Sequence, residues 1–378
     1  MEGYLNHLND HQKKVLKEFK DLLDSDHESI KQKIYQEKYG AKVTQPLSIW
    51  NVNLEVESDQ RDIILLKFLR AREFKLEESK DMLFKTLEWR EEFKVEEVKL
   101  KVFPEKYKKL GEIYKSDKQG RPIMINYYQH LIVSTDEEVQ EFLEWKVQQM
   151  EQIIDTLSSK QWQPAEDIIV IHDYQGVSMF DRSSSKKVSG ATIKLLQNNY
   201  PETLGIKFFI NISWLLEKMF SFFLSFTSAR TKSKFIIASG ANYREKLLKY
   251  IDADCLSPRL GGIPIDSQED PIQLVIPPKE TKTVNIPMGN LDDHCEIAYT
   301  TESQDIQFTV KNDTTNTIIY KDQKEYSSTT VKYADRSLYQ LIFDNSNSNQ
   351  QKTIYYKFKI ISSPVIQQSE GNVNNNNN

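Results

Sequence analysis

Four short apolar runs, separated by stretches with helical periodicity, constrain this chain more than any other feature. Ile123-Met124-Ile125-Asn126-Tyr127 comes after a Gly120-Arg121-Pro122 turn and reads as a strand. From Asp136 to Ser159 the apolar positions Val139, Phe142, Leu143, Val147, Met150, Ile153, Ile154 and Leu157 keep helical spacing. Ile168-Ile169-Val170-Ile171-His172 is apolar up to its last residue, as a strand buried on both faces is. A helix over Val188–Asn198, a strand at Phe208–Ile212, an apolar helix over Trp214–Phe226 and a strand at Phe235–Ser239 complete the series. The order β-α-β-α-β-α-β requires crossover connections, so the expected fold is α/β with a mainly parallel sheet.

Residues 1–59 read as an N-terminal helical extension, with Val15, Leu16, Phe19, Leu22 and Leu23 on one face and a loop over Lys42–Ser58. Residues 60–105 read as a helical lobe, in whose second helix Met82, Thr86, Trp89 and Phe93 share a face. The α/β domain takes 106–265. Five of the twelve prolines then fall between Pro264 and Pro287, so 266–284 reads as a linker. Over 285–363 the period becomes two, at Ile306/Phe308/Val310, Leu338/Gln340/Ile342 and Ile354/Tyr356/Phe358/Ile360, which predicts an all-β sandwich. The Asn-rich tail, 364–378, reads as disordered.

Composition excludes several classes. With 39% apolar and 11% aromatic residues the chain can bury a core, which rules out a wholly disordered or collagen-like protein. A net charge of −5 argues against a dedicated nucleic-acid binder. Two cysteines cannot build a disulfide framework. The start, Met1-Glu2-Gly3-Tyr4-Leu5, lacks the basic-then-apolar layout of a secretory signal, so a cytoplasmic protein is expected. Phe208–Phe226 is long enough to cross a bilayer, but Asn211, Glu217 and Lys218 are costly at that depth. Its character also changes at Ser213, so a core strand followed by a helix accounts for it better.

Signatures of catalysis are missing. The chain has neither a phosphate-cradling loop nor a dinucleotide-binding glycine fingerprint, and Gly176-Val177-Ser178-Met179-Phe180 lacks the second glycine of a nucleophile elbow. His7 and His11 have no third metal ligand nearby in sequence. His172-Asp173 ends a strand, where α/β proteins place their sites, yet no activated nucleophile accompanies it. No enzyme, cofactor or metal is expected, and a hydrolase using His172 and Ser178 is the weakest reading.

Trp214–Phe226 carries nine apolar residues in thirteen, spread around the whole helix. Pattern alone suits a buried core helix equally well. The stretch C-terminal to it is basic, with Arg230, Lys232, Lys234, Arg244, Lys246 and Lys249 against one acid, Glu245. An apolar helix beside a basic patch suits a phospholipid, with tails on one and phosphate on the other.

Leu65-Leu66-Lys67-Phe68-Leu69-Arg70-Ala71-Arg72, Trp89-Arg90, Gly120-Arg121-Pro122, Asn198-Asn199-Tyr200-Pro201-Glu202 and Leu260-Gly261-Gly262 together resemble the CRAL-TRIO lipid-transfer family over roughly residues 60–265. The β-rich C-terminus is similar to a GOLD domain, as in the supernatant protein factor group. The resemblance implies a cavity floored by the sheet and closed by a gate helix at Trp214–Phe226, with Trp214, Leu215, Met219, Phe222, Phe223 and Phe226 lining it. It also implies a phosphatidylinositol-type headgroup site at Arg72, Ser178, Glu202, Thr231 and Lys234. Two positions depart from that pattern. Glu73 stands where such members often add a second basic residue, and Phe180 replaces a hydroxyl often found two residues after Ser178.

The expected function is therefore binding a phospholipid and transferring or presenting it between membranes. The protein would visit a membrane surface, at the Golgi or vesicles, only transiently. Two chains of about sixteen carbons bury roughly 25 kcal/mol of apolar surface, which the bilayer supplies equally well, so transfer needs no bond chemistry. Two alternatives stand beside it. One is a carrier of a neutral hydrophobe such as a sterol precursor or tocopherol-like molecule. The other is a lipid-regulated trafficking adaptor binding a protein partner through the GOLD-like domain.

Overall fold

The computed structural model describes residues 3–39, 45–129, 131, 133, 135–177, 183–225, 232–240, 243–286, 293–302, 304–333 and 338–362. Contacts divide the chain into two units, Met1–Tyr243 and Arg244–Asn378.

In the first unit, α1 (Asp10–Tyr39) opens with a reciprocal cap in which Asn9 and Gln12 exchange main-chain and side-chain hydrogen bonds at 2.9 and 3.1 Å. Its three- and four-residue spacing buries Val15, Leu16, Phe19 and Leu23. The stretch read as a loop over Lys42–Ser58 holds a small hairpin, β1 (Ser48–Ile49) and β2 (Val52–Asn53). Trp50 and Asn51 both take positive φ at its turn, which matches the twist of paired strands. Trp50 stacks at 6.0 Å on Phe68 and 6.1 Å on Tyr200, so the hairpin is an anchor as well as a connection. Helices α2 (Asp59–Ala71), α3 (Leu76–Glu92) and α4 (Val95–Leu100) form the helical lobe.

The sheet runs β3-β4-β5-β6-β7 in space, the same order as in sequence. Its strands are β3 (Gly111–Ser116), β4 (Pro122–Tyr127), β5 (Ile168–Asp173), β6 (Leu204–Ile212) and β7 (Phe235–Ser239). All pairings are parallel except β3 with β4. Between them lie α5 (Asp136–Ser159), α6 (Ser183–Asn199) and α7 (Trp214–Ser225). The apolar stretch breaks at Ser213, whose hydroxyl accepts from Leu216 N at 3.4 Å as α7 begins. No helix among the described residues is long and apolar enough to cross a membrane.

Register decides which side chains share a face. Asn126, His172 and Phe209 form one row across β4, β5 and β6, and Met124, Val170, Lys207 and Phe235 form the next. From α5, Lys146 reaches Asn126, and from α7, Phe220 packs on Phe209 with ring centroids 4.7 Å apart. Both helices therefore lie on that one face. Sequential strands joined by same-handed crossovers allow nothing else.

The second unit starts at Arg244 in α8 (Tyr243–Leu248) and carries the Leu260-Gly261-Gly262 motif. Gly261 has φ 84°, and a Cβ on Gly262 would sit 1.8 Å from the Leu256 carbonyl oxygen, so both positions require glycine. Two antiparallel four-stranded sheets complete the unit, ordered β13-β10-β15-β8 and β12-β11-β14-β9. Their strands are β8 (Ile272–Ile276), β9 (Thr281–Ile286), β10 (His294–Thr301), β11 (Ile306–Asn312), β12 (Thr317–Lys324), β13 (Tyr326–Lys332), β14 (Tyr339–Asp344) and β15 (Lys352–Ile361).

Two readings change here. The stretch 266–284, read as a linker, supplies β8 and most of β9, each at the edge of a sheet. Pro271, Pro277 and Pro278 stand beside these strands, where no ladder hydrogen bond is lost. In β14 the buried face is Tyr339, Leu341 and Phe343, not Leu338, Gln340 and Ile342. Both faces of Leu338-Tyr339-Gln340-Leu341-Ile342-Phe343 carry apolar residues, and the two rings bury more area than their neighbours. The tail at 364–378 lies outside the described residues.

Candidate ligand site

Several motif residues hold the first unit together. Arg90 of α3 grips Glu151 of α5 through two bonds, 2.7 and 3.0 Å, and Tyr200 OH donates to the same carboxylate at 2.8 Å. All three are buried, and Glu151 holds the Arg90 guanidinium firmly in its charged form. Trp-Arg and Tyr-Pro-Glu are thus two halves of one lock. At the Gly-Arg-Pro turn, Asp117 Oδ1 accepts from Arg121 N at 2.8 Å while Oδ2 accepts from its guanidinium.

Lys67, fully buried in α2, donates to the main-chain carbonyls of Glu166 at 2.6 Å and Glu202 at 2.9 Å. Burial, with the Arg70 charge beside it, pulls its ammonium down to about 8. Arg70 donates to Glu166 Oε2 at 2.8 Å and to the Gly3 carbonyl at 3.0 Å. The loops entering β5 and β6 are therefore pinned to α2.

Of the residues expected at a headgroup, the structure brings together Glu202 and Lys234. Lys234 Nζ lies 3.6 Å from Glu202 Oε2 and donates to the Leu204 carbonyl at 3.0 Å. Arg72 caps the C-terminal end of α2, where its guanidinium donates to the Ala71 carbonyl at 3.0 Å. Ser178 and Thr231 lie outside the described residues. The basic patch is smaller than its sequence suggests. Arg244 is buried, donates to the Thr301 carbonyl at 3.2 Å and pairs with Glu325, while Lys249 pairs with Glu245 at 3.1 Å.

Among the residues expected to form a gate helix, Trp214 is 66% and Leu215 40% exposed at the start of α7. Two turns on, Phe220 meets Phe209. Phe226, and the side chains of Met219, Phe222 and Phe223, lie outside the described residues.

The sheet face beneath α5 and α7 carries polar groups that the sequence did not single out. Lys146, 5% exposed, donates to Asn126 Oδ1 and, at 2.8 Å, to Gln149 Oε1. Lys207 Nζ lies 5.7 Å from the Phe209 ring centroid and 5.9 Å from that of Phe235. His172 stacks on Phe209 at 5.2 Å, and its Nδ1 meets Tyr128 OH at 2.6 Å. Burial, reinforced by Lys207 and Lys146, keeps the imidazole neutral. A lysine in a helix or strand ordinarily reads as solvated surface, so only the alternation of β6 hinted that Lys207 faces inward. No cluster of metal-ligating groups occurs among the described residues.

Comparisons with known proteins place these features. The chain matches the CRAL/TRIO domain over residues 106–262, its N-terminal domain over 15–85, and the emp24/gp25L/p24 family/GOLD over 271–376. It is 35% identical to Patellin-6 of Arabidopsis thaliana over 248 residues, 62% of this chain and 60% of that protein. It is 31% identical to the phosphatidylinositol transfer protein SFH5 of Kluyveromyces lactis over 261 residues, 65% of this chain and 82% of that one. The chain spans between 34% and 60% of the length of the patellins it matches. In fold it resembles the crystal structure of Sfh5, with a TM-score of 0.51 at 22% identity, over 63% of this chain and 83% of that one. The chain belongs to the CRAL/TRIO family and carries a GOLD domain at its C-terminal end.

Proposed function

We propose that this protein binds a phospholipid between its sheet and the α5–α7 layer and transfers or presents it between membranes, α7 serving as the gate. The observation carrying this reading is the placement of α7. Phe220 packs on the sheet while Trp214 and Leu215 stay exposed, so one helix has an inner apolar contact and an outer apolar end. Exposed Trp and Leu suit the boundary between headgroups and acyl chains. The Glu202–Lys234 pair supplies a carboxylate and an ammonium for a polar headgroup, and the relative from Kluyveromyces lactis is a phosphatidylinositol transfer protein. Charge-assisted contacts of that kind are worth about 1.5–3 kcal/mol each, enough to rank lipids against one another.

The test is transfer of fluorescent phosphatidylinositol and phosphatidylcholine between vesicles by the full chain and by Lys234→Ala. Transfer by the wild type with phosphatidylinositol preference reduced in the variant supports the reading. Unchanged preference removes the headgroup assignment, and absence of transfer removes the carrier.

A further inference from the structure

The floor beneath α5 and α7 is not the plain hydrocarbon surface that two acyl chains require. Lys146 and Lys207 stand there with His172. Among the described residues Lys146 has only neutral partners, the side-chain oxygens of Asn126 and Gln149, both buried. Lys207 has aromatic rings beside it and no hydrogen-bonding or ion-pair partner among the described residues. The Tyr128 hydroxyl and His172 Nδ1 share a hydrogen bond at 2.6 Å; with the hydroxyl donating, the ring proton stands on Nε2. That Nε2 is buried and has no partner among the described residues.

The charges felt by this cluster are its own. Lys207 acts on Lys146, and both lysines act on His172, with no carboxylate of the described residues offsetting them. Setting the half-buried ammonium of Lys207 near the buried one of Lys146, with no acid beside them among the described residues, is costly, and an orphaned imidazole nitrogen adds to the cost. Neighbouring elements supply each group, so the arrangement is not an accident of one loop. Lys146 comes from α5, Lys207 from β6 and His172 from β5, while the rows of the sheet set their spacing. Donors supplied by one helix and two strands, two of them without a partner oxygen among the described residues, define a place for a negatively charged oxygen group.

We propose that Lys146, Lys207 and His172 Nε2 form a buried oxyanion site, so that the protein takes an amphiphile whose carboxylate or phosphate is seated inward over β4–β6. This deepens the carrier reading and rests on it, but it puts a second polar anchor at the floor, apart from Glu202 and Lys234. A neutral diacyl lipid leaves the site empty; a fatty-acid carboxylate or a phosphatidate-type phosphate fills it.

The test loads the full chain from vesicles containing equal oleate, dioleoyl phosphatidate and dioleoylglycerol, and quantifies bound lipid by mass spectrometry. The wild type is expected to retain oleate or phosphatidate at least tenfold over diacylglycerol, and which of the two prevails tells carboxylate from phosphate. Lys207→Met should remove most of that preference while total uptake persists, and Lys85→Met, on the exposed face of α3, should leave it intact. Lys146→Met repeats the measurement from α5, and should it fail to fold, Lys207→Met decides alone. Equal retention of charged and neutral lipid by the wild type overturns the oxyanion site and leaves the carrier standing. So does a preference that survives Lys207→Met or disappears in Lys85→Met. Uptake of no lipid at all overturns the carrier, and the site with it.

Discussion

The ammonium of Lys67 lies 2.9 Å from the main-chain carbonyl of Glu202, whose carboxylate faces Lys234. A buried side chain in the helical lobe thus sets the backbone of a loop whose own side chain meets the lysine just ahead of β7. Glu202 holds a positive φ of 47°, a conformation that needs such support.

Lys67→Met should keep the packing and lose both carbonyl contacts. Each buried acceptor left open costs about 1–3 kcal/mol, so the first unit should unfold at clearly lower urea concentration. Lys67→Arg is not a rescue, because a guanidinium cannot enter a space shaped for one ammonium. Urea titration followed by far-UV circular dichroism measures the loss.

Glu151→Gln should be worse. It puts an amide donor against the Arg90 guanidinium and leaves the more exposed Glu96, 2.8 Å away, as its counter-charge, a loss of about 3 kcal/mol. The same titration should rank it below Lys67→Met. Arg90 and Tyr200 variants should not add to it fully, because the three share one network.

Gly262→Ala should disrupt the second unit, since its Cβ would fall 1.8 Å from the Leu256 carbonyl oxygen. Limited proteolysis should then cut among residues 250–265 in the variant and spare the wild type. An uncut Gly262→Ala would mean that the backbone there shifts freely.

Anion binding at the floor should weaken as pH rises. Burial, with Lys207 adding to it, pulls the Lys146 ammonium down to about 7. A bound oxyanion favours the charged form, so above about pH 7 binding must take up a proton, and affinity falls by up to tenfold per pH unit. Below that pH Lys146 is already charged and the dependence flattens. Among the described residues, the groups facing Lys146 are Lys207 from β6, His172 from β5, Asn126 from β4 and Gln149 from its own helix, none of them acidic. Oleate binding by isothermal titration between pH 6 and 9 reads the slope.

Sequence carried the first unit well wherever burial was two-sided. Ile168–His172 could be little other than a central strand, and the break at Ser213 separated β6 from α7 correctly. Gly111–Ser116 was not legible, because an edge strand with alternating polar residues leaves few apolar positions to count. β14 was placed but turned over, since apolar residues on both faces leave its phase open. The polar floor was the least legible part. Lys146 and Lys207 are unremarkable in their own segments, and only the crossover geometry turns both toward the same space. Glu202 and Lys234 were legible through resemblance, not through spacing.

Strands that succeed one another across the sheet never reverse direction of growth, so this fold has no crevice at the carboxyl ends of its strands of the kind doubly wound proteins use. Any molecule held on its helix-covered face is roofed. On the proposed carrier reading, entry and exit depend on how often that roof lifts, and residence time becomes a property of local opening, measurable as amide hydrogen exchange along α7 with and without cargo.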